Sequence, residues 1–188
     1  MADIVVGITG RKGHGKDTAA QGLYEHGFGP VKFAAPLKRM LEAHLDYLGV
    51  SEETVVRMIE GDLKEVETSF LCGKTPRFFM QRLGTEFGRD TIGETFWTDA
   101  FKARSAMFER VVCTDMRFPN EVETIKAMGG LTIRVKRPAA MKTGGDDHPS
   151  EALIDTLPVD FEVLNIGRPE DLQELVTKLV LQHMEEKQ

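Results

Sequence analysis

The segment Gly10-Arg11-Lys12-Gly13-His14-Gly15-Lys16-Asp17-Thr18 combines glycines and a lysine at a spacing that suits a polyphosphate. Glycines let the backbone curl until several N–H groups point at one anion, and a helix opening at the end of the loop adds its positive dipole end. Gly10, Gly13 and Gly15 are the loop's nucleotide-binding candidates, and Lys16 is the side chain that reaches the β- and γ-phosphates. The run Gly10-x-x-x-x-Gly15-Lys16 satisfies the Walker A spacing. Asp17, however, stands where a hydroxyl usually meets Mg²⁺, and Thr18 follows one step later. Asp17 is then either a residue that serves Mg²⁺ through water or a helix N-terminal charge favoured by the dipole. Thr18 brings the hydroxyl, to the α-phosphate or to the metal's water shell.

A second carboxylate closes Val111-Val112-Cys113-Thr114-Asp115, an apolar run of Walker B form. An aspartate at the tip of a strand beside a phosphate loop can hold Mg²⁺, mostly through water. Arg117, two residues on, can contact a phosphate or pair with Asp115. Transferring a phosphoryl group requires in-line placement of donor and acceptor and neutralisation of the charge on the moving group. Lys16, Asp115 with its metal, Arg117 and Arg137 are the catalytic candidates. Arg134, Lys136 and Lys142 are further cations near the Gly144-Gly145-Asp146-Asp147 stretch, which is expected to be a mobile lid over about residues 138–150.

These residues need a scaffold that alternates strands and helices. Ile4–Ile8 reads as the first strand, and Asp17 to about His26 as the helix behind the loop. A short strand is expected at Val31–Ala34, then a helix after Pro36 with Leu37, Met40, Leu41 and Leu45 at helical spacing. Ser51 caps an acidic helical stretch to Glu67. Pro76 opens a helix stopped near Gly84, and Thr95–Phe108 forms another with Trp97 and Phe101 in the core. Strands at 111–115, 131–135 and 161–166 follow. A helix spans Asn120–Met128, and a last one from Pro169 carries Leu172, Leu175, Val176, Leu179 and Val180 on one side. This order implies an α/β fold, a three-layer αβα phosphate-loop domain around a parallel sheet. The whole of 1–188 is expected as one domain: a core of 1–35 and 105–188, and an inserted region of about 36–104.

The totals remove other classes. A net charge of −6 argues against a binder of nucleic-acid polymers, which needs a broad basic face. No apolar run reaches the length of a membrane span and no leader is evident, so a cytoplasmic protein is expected, without membrane partners. Cys72 and Cys113 stand apart and read as reduced thiols, Cys113 as a buried one.

Several separated motifs resemble the deoxynucleoside monophosphate kinases of tailed phages along nearly the whole chain. They are Gly15-Lys16-Asp17-Thr18; Phe33-Ala34-Ala35-Pro36-Leu37-Lys38; Met80-Gln81-Arg82-Leu83-Gly84-Thr85-Glu86; and Phe96-Trp97. Further on come Asp115-Met116-Arg117, Val135-Lys136-Arg137-Pro138, His148-Pro149-Ser150-Glu151 and Asn165-Ile166-Gly167. The resemblance implies transfer of the ATP γ-phosphoryl group to a deoxynucleoside monophosphate, with Mg²⁺ as cofactor and the host cytoplasm as location if a phage encodes it. It also implies that 36–104 binds the acceptor through Lys38, Arg77, Gln81, Arg82, Thr85 and Glu86. Asn165 and Gly167 would sit at the donor's adenine, through backbone contacts around Gly167. His148 and Glu151 would order the closed lid, and Trp97 is core rather than a stacking partner for a base. A homodimer stays open, as do two rivals: a dephospho-coenzyme A or phosphomevalonate kinase, and an ATPase or binding module. An ATPase would want a glutamate beside Asp115, where Thr114 and Met116 stand.

Overall fold

Every residue of β1 (Ile4–Thr9) is buried, which fits a central parallel strand rather than an edge. Ile4, Val6 and Ile8 belong to one apolar cluster and Val5 to another, because successive side chains leave a strand on opposite faces. A computed structural model describes residues 2–138 and 149–186. In it, β3 (Arg110–Cys113) and β4 (Leu131–Lys136) flank β1, and β2 (Phe28–Pro30) and β5 (Phe161–Leu164) form the edges. All four pairings are parallel, and Val6 faces Val112 on one side and Leu131 on the other.

The first apolar cluster joins the sheet to α1 (Lys16–Tyr24) and α8 (Pro169–Glu185), through Ala19, Ala20 and Leu23 on one helix and Leu172, Val176 and Val180 on the other. The second cluster covers the opposite face with Val122 and Ile125 of α6 (Pro119–Ala127) and the stacked rings of Phe33 and Phe101, 4.0 Å apart. The fold is therefore the three-layer αβα arrangement of phosphate-loop proteins. The helix α7 (Pro149–Thr156) returns to the sheet through Arg134, a buried arginine of β4. Its Nε donates to the Ile154 carbonyl at 3.2 Å, and its other nitrogens reach the Leu157 carbonyl and Glu162.

Met1–Phe33 with Phe101–Gln188 forms one compact unit and Ala34–Ala100 a second. The second unit holds α2 (Ala35–Tyr47), α3 (Glu52–Ile59), two 3₁₀ turns, α4 (Pro76–Arg82), a π-helix (Leu83–Ile92) and the start of α5 (Phe96–Ser105). Leu41, Leu45, Val55, Met58, Ile59, Leu71 and Met80 form its own core. Two of its helices, α3 and α4, begin where side chains supply missing acceptors. Ser51 Oγ accepts from Thr54 N–H, and Thr75 Oγ1 accepts from Phe78 N–H just ahead of Pro76.

Four expectations need correction. The helix after Ser51 ends at Ile59 rather than near Glu67, because Gly61 turns extended and the chain resumes only as a 3₁₀ turn at Asp62–Glu65. The second strand lies at Phe28–Pro30, not at 31–34. The chain leaves the sheet once Val31 N–H has bonded the Val112 carbonyl, and Val31 and Phe33 are apolar because they enter the core. The helix of α4 does not stop near Gly84 but widens into the π-helix. Leu175 is 48% exposed rather than on the buried side of α8. The expected lid lies, but for its ends, outside the described residues, as do Lys142 and His148.

Candidate active site

The loop after β1 needs its glycines for conformation and for space. Gly10, Gly13 and Gly15 have φ of 149°, 77° and 96°, values that a Cβ strains. A Cβ on Gly10 would also run into the Val135 carbonyl, and one on Gly15 would come within 2.6 Å of Asn165 Nδ2. Asn165 Nδ2 donates to the His14 carbonyl at 3.0 Å, and its N–H bonds the Lys136 carbonyl at 2.7 Å. The loop is thus tied to the ends of β4 and β5 by a side chain as well as by backbone. Lys16 Nζ donates to the carbonyls of Gly10 at 2.7 Å and Arg11 at 3.0 Å, which holds the ammonium against the loop at the start of α1.

Asp17 sits in a small polar network. Its Oδ1 accepts from Thr114 Oγ1 at 2.6 Å and pairs with Lys32 Nζ at 3.2 Å. Partial burial pushes its carboxyl up, but the Thr114 hydroxyl, Lys32 and Lys16 together bring it below the usual carboxylate range. Thr114 and Lys32 are residues that sequence reasoning missed. Thr114 is separated from Asp17 by 97 positions, and only the pairing of β3 with β1 brings them together. Asp115 Oδ1 accepts from Phe33 N–H at 3.0 Å and from the Cys113 thiol at 3.1 Å. Burial, and then Asp115 itself, pushes that thiol well up, so Cys113 is an inert core residue. Arg117 is exposed, and its N–H donates to the buried Glu121 carboxylate at 2.7 Å.

Gly13, Gly15, Lys16, Asp17, Thr18, Arg137, Asn165, Gly167 and Pro169 line one cleft of ≈ 340 Å³. Gly10, Asp115 and Arg117 are not among its walls. The cleft opens beyond the carboxyl ends of the sheet strands, where ligands bind in open α/β sheets. Arg137 Nε is buried without a hydrogen-bond partner among the described residues. An arginine held that way in an anion site has a donor to offer. Asp17, Thr18 and Asp115 are hard oxygen donors, and among the described residues no three His, Cys, Asp or Glu side chains form a cage. That set fits Mg²⁺, which keeps several waters and uses one or two carboxylates.

In the second unit the predicted acceptor residues are spread over α2, α4 and the π-helix. Lys38 pairs with Glu60 at 2.6 Å, Arg77 with Glu65 and Arg82 with Glu86, while Gln81 and Thr85 are exposed. Lys64, not singled out in the sequence, joins this basic group. Burial, and then Lys38 and Arg77, holds its ammonium below the ordinary lysine range. Trp97 is 2% exposed, and its indole N–H donates to the Gly84 carbonyl at 2.7 Å, so it is a core residue.

The family model described as deoxynucleotide monophosphate kinase matches residues 65–177. A protein of Acanthamoeba polyphaga mimivirus, named provisionally as a deoxynucleotide monophosphate kinase, is 33% identical over 162 residues, 79% of this chain and 80% of that one. The chain belongs to the deoxynucleotide monophosphate kinase family. It is also similar to the deoxynucleoside-5'-monophosphate kinase of Escherichia phage T5, 35% identical over 99 residues, 48% of this chain but 39% of the phage protein. The fold resembles the crystal structure of TT1252 from Thermus thermophilus, with a TM-score of 0.53 at 15% identity, over 97% of this chain and 98% of that one. As a family member the chain is a phosphotransferase acting on a small nucleotide, which sets the rival kinases and the ATPase aside. Among the described residues no helix is long and apolar enough to cross a membrane.

Proposed function

We propose that this kinase takes ATP as donor and passes its γ-phosphoryl group to a deoxynucleoside monophosphate, giving the diphosphate and ADP. The observation that carries this reading is the cleft in which Gly13, Gly15, Lys16, Asp17 and Thr18 share walls with Arg137, Asn165 and Gly167. Backbone N–H groups and the start of α1 grip the donor's phosphates, and Lys16 exchanges its loop carbonyls for the β- and γ-oxygens. Arg137 takes the catalytic place beside the moving group, neutralising charge with its free Nε, and Arg117 is the second cation at the strand tips. Mg²⁺, served by Asp17, Thr18 and Asp115 mostly through water, adds charge neutralisation on the donor phosphates when bound. Asn165 and Gly167 flank the donor's base.

The acceptor falls to the second unit, where Lys38, Arg77 and Arg82 supply cations for its phosphate, and Gln81, Thr85 and Glu86 supply polar groups for its sugar and base. Each of these cations already has a carboxylate partner, so binding a monophosphate exchanges one anion for another. The protein works in the cytoplasm of the cell that makes it, on small molecules rather than on nucleic-acid polymers; its net charge of −6 supports that.

ADP release from ATP and Mg²⁺, measured alone and with each of the four deoxynucleoside monophosphates, tests the proposal. Turnover should require an acceptor. ADP release at the same rate without one would overturn it.

A further inference from the structure

The π-helix Leu83–Ile92 is the most unusual backbone in the chain. Such turns bond i to i+5, are less stable than α-helix, and persist only where something holds them, often at functional sites. Gly93 N–H bonds the Gly88 carbonyl in this register at 3.0 Å, and Thr91 Oγ1 donates to the Glu86 carbonyl at 2.7 Å. Thr85 and Glu86 ride on the π turns, and Arg82 is the residue from which they start.

Trp97 enters this segment from α5. Its indole N–H donates to the carbonyl of Gly84, the second residue of the π-helix, at 2.7 Å. The ring lies so close to Gly88 that any Cβ there would collide with it. Phe96 packs edge-on against it at 4.6 Å. At 2% exposure the ring has no face to offer a nucleotide base. Its hydrogen bond is therefore spent on the backbone of the residues proposed to meet the acceptor.

From this juxtaposition we infer that Trp97 is a positioning residue for acceptor binding: its N–H locks the π register at Gly84 and so fixes the aim of Thr85 and of Glu86, the ion-pair partner of Arg82. Gly88 is the companion requirement, because only glycine admits the ring. The inference rests on the reading that the second unit binds the monophosphate. An α-helical continuation would turn these side chains to other faces, since residues advance around the axis differently in the two helices.

Trp97 is the sole tryptophan of the chain, so biosynthetic replacement alters one residue. Benzothienylalanine keeps the shape of the ring and lacks the N–H; 5-fluorotryptophan keeps both. The benzothienyl protein and Trp97→Phe should raise the acceptor KM about five- to tenfold, the worth of one buried hydrogen bond, with the ATP KM unchanged. The fluorinated protein should match the natural one. Amide exchange across 83–92 should quicken in the benzothienyl protein, a local change that a general loss of stability would not confine there. If Trp97→Phe does not fold, the benzothienyl protein decides alone. An unchanged acceptor KM there, while Arg82→Ala raises it, overturns the inference and leaves the acceptor reading standing. An unchanged acceptor KM in Arg82→Ala as well sinks the acceptor reading, and the inference with it.

Discussion

Lys16 donates to two carbonyls of its own loop, and that choice of partner has a kinetic meaning. A neutral carbonyl holds an ammonium less tightly than a phosphate oxygen does, so a phosphate can take these bonds over at small cost. Lys16→Ala should therefore cut kcat by at least on the order of a hundredfold, the scale set by removing one preorganised transition-state contact. The melting temperature should stay close to that of the natural protein, because the lost bonds end on carbonyls that water can satisfy. Retained turnover would remove Lys16 from the catalytic set; a collapsed fold would make it a structural residue. Asp17 is built the opposite way, fixed by Thr114 and Lys32. The loop motif is legible from residues 10–18, but this clamp is not. Thr114 stands 97 positions from Asp17, and no local spacing reveals a bond between the end of β3 and the start of α1.

At the scale of elements, the edge strand β5 is secured to its neighbour by more than its ladder. Asp160, just before it, accepts from Thr132 N–H at 2.9 Å and Thr132 Oγ1 at 2.7 Å, and pairs with Lys126 of α6 at 3.1 Å. Burial pushes the Asp160 carboxyl up, but Thr132 and then Lys126 bring it net below its ordinary range. A depressed carboxyl contributes stability above its unfolded pKa and loses it as pH falls through the folded value. Thermal melts of the natural protein and Asp160→Asn should therefore differ most near neutral pH. The gap should close below about pH 4, the unfolded aspartate range. A gap that persists unchanged into acid would show that this carboxylate does not titrate with folding. Strands with β-branched runs, such as β1, β3 and β4, were readable because burial on both faces demands such residues. The second strand was displaced because Val31 and Phe33 are apolar for the core rather than for the ladder. The π-helix was invisible because Gly84 reads as a helix stop, and the Trp97 indole that bonds its carbonyl lies thirteen residues on.

For the whole molecule, two compact units and two nucleotides suggest a division of labour. The family membership says what class of reaction occurs, and the proposed assignment puts the donor on the unit of the sheet and the acceptor on Ala34–Ala100. Each unit has its own apolar core, so each can register binding as a local gain in stability. A ligand at a hundredfold its Kd stabilises what it binds by about 2.7 kcal/mol, enough to slow amide exchange about a hundredfold where exchange needs the bound region to open. A non-hydrolysable ATP analogue should then protect the loop at 10–18 and the turn at 165–169, and leave 76–92 nearly as before. A deoxynucleoside monophosphate alone should do the reverse, with protection in α4 and the π-helix. Because each experiment carries a single ligand, crossover has a definite meaning. Protection of 10–18 by the monophosphate alone would move the acceptor site to the phosphate loop, and the cations Lys38, Arg77 and Arg82 would revert to surface ion pairs of the second unit.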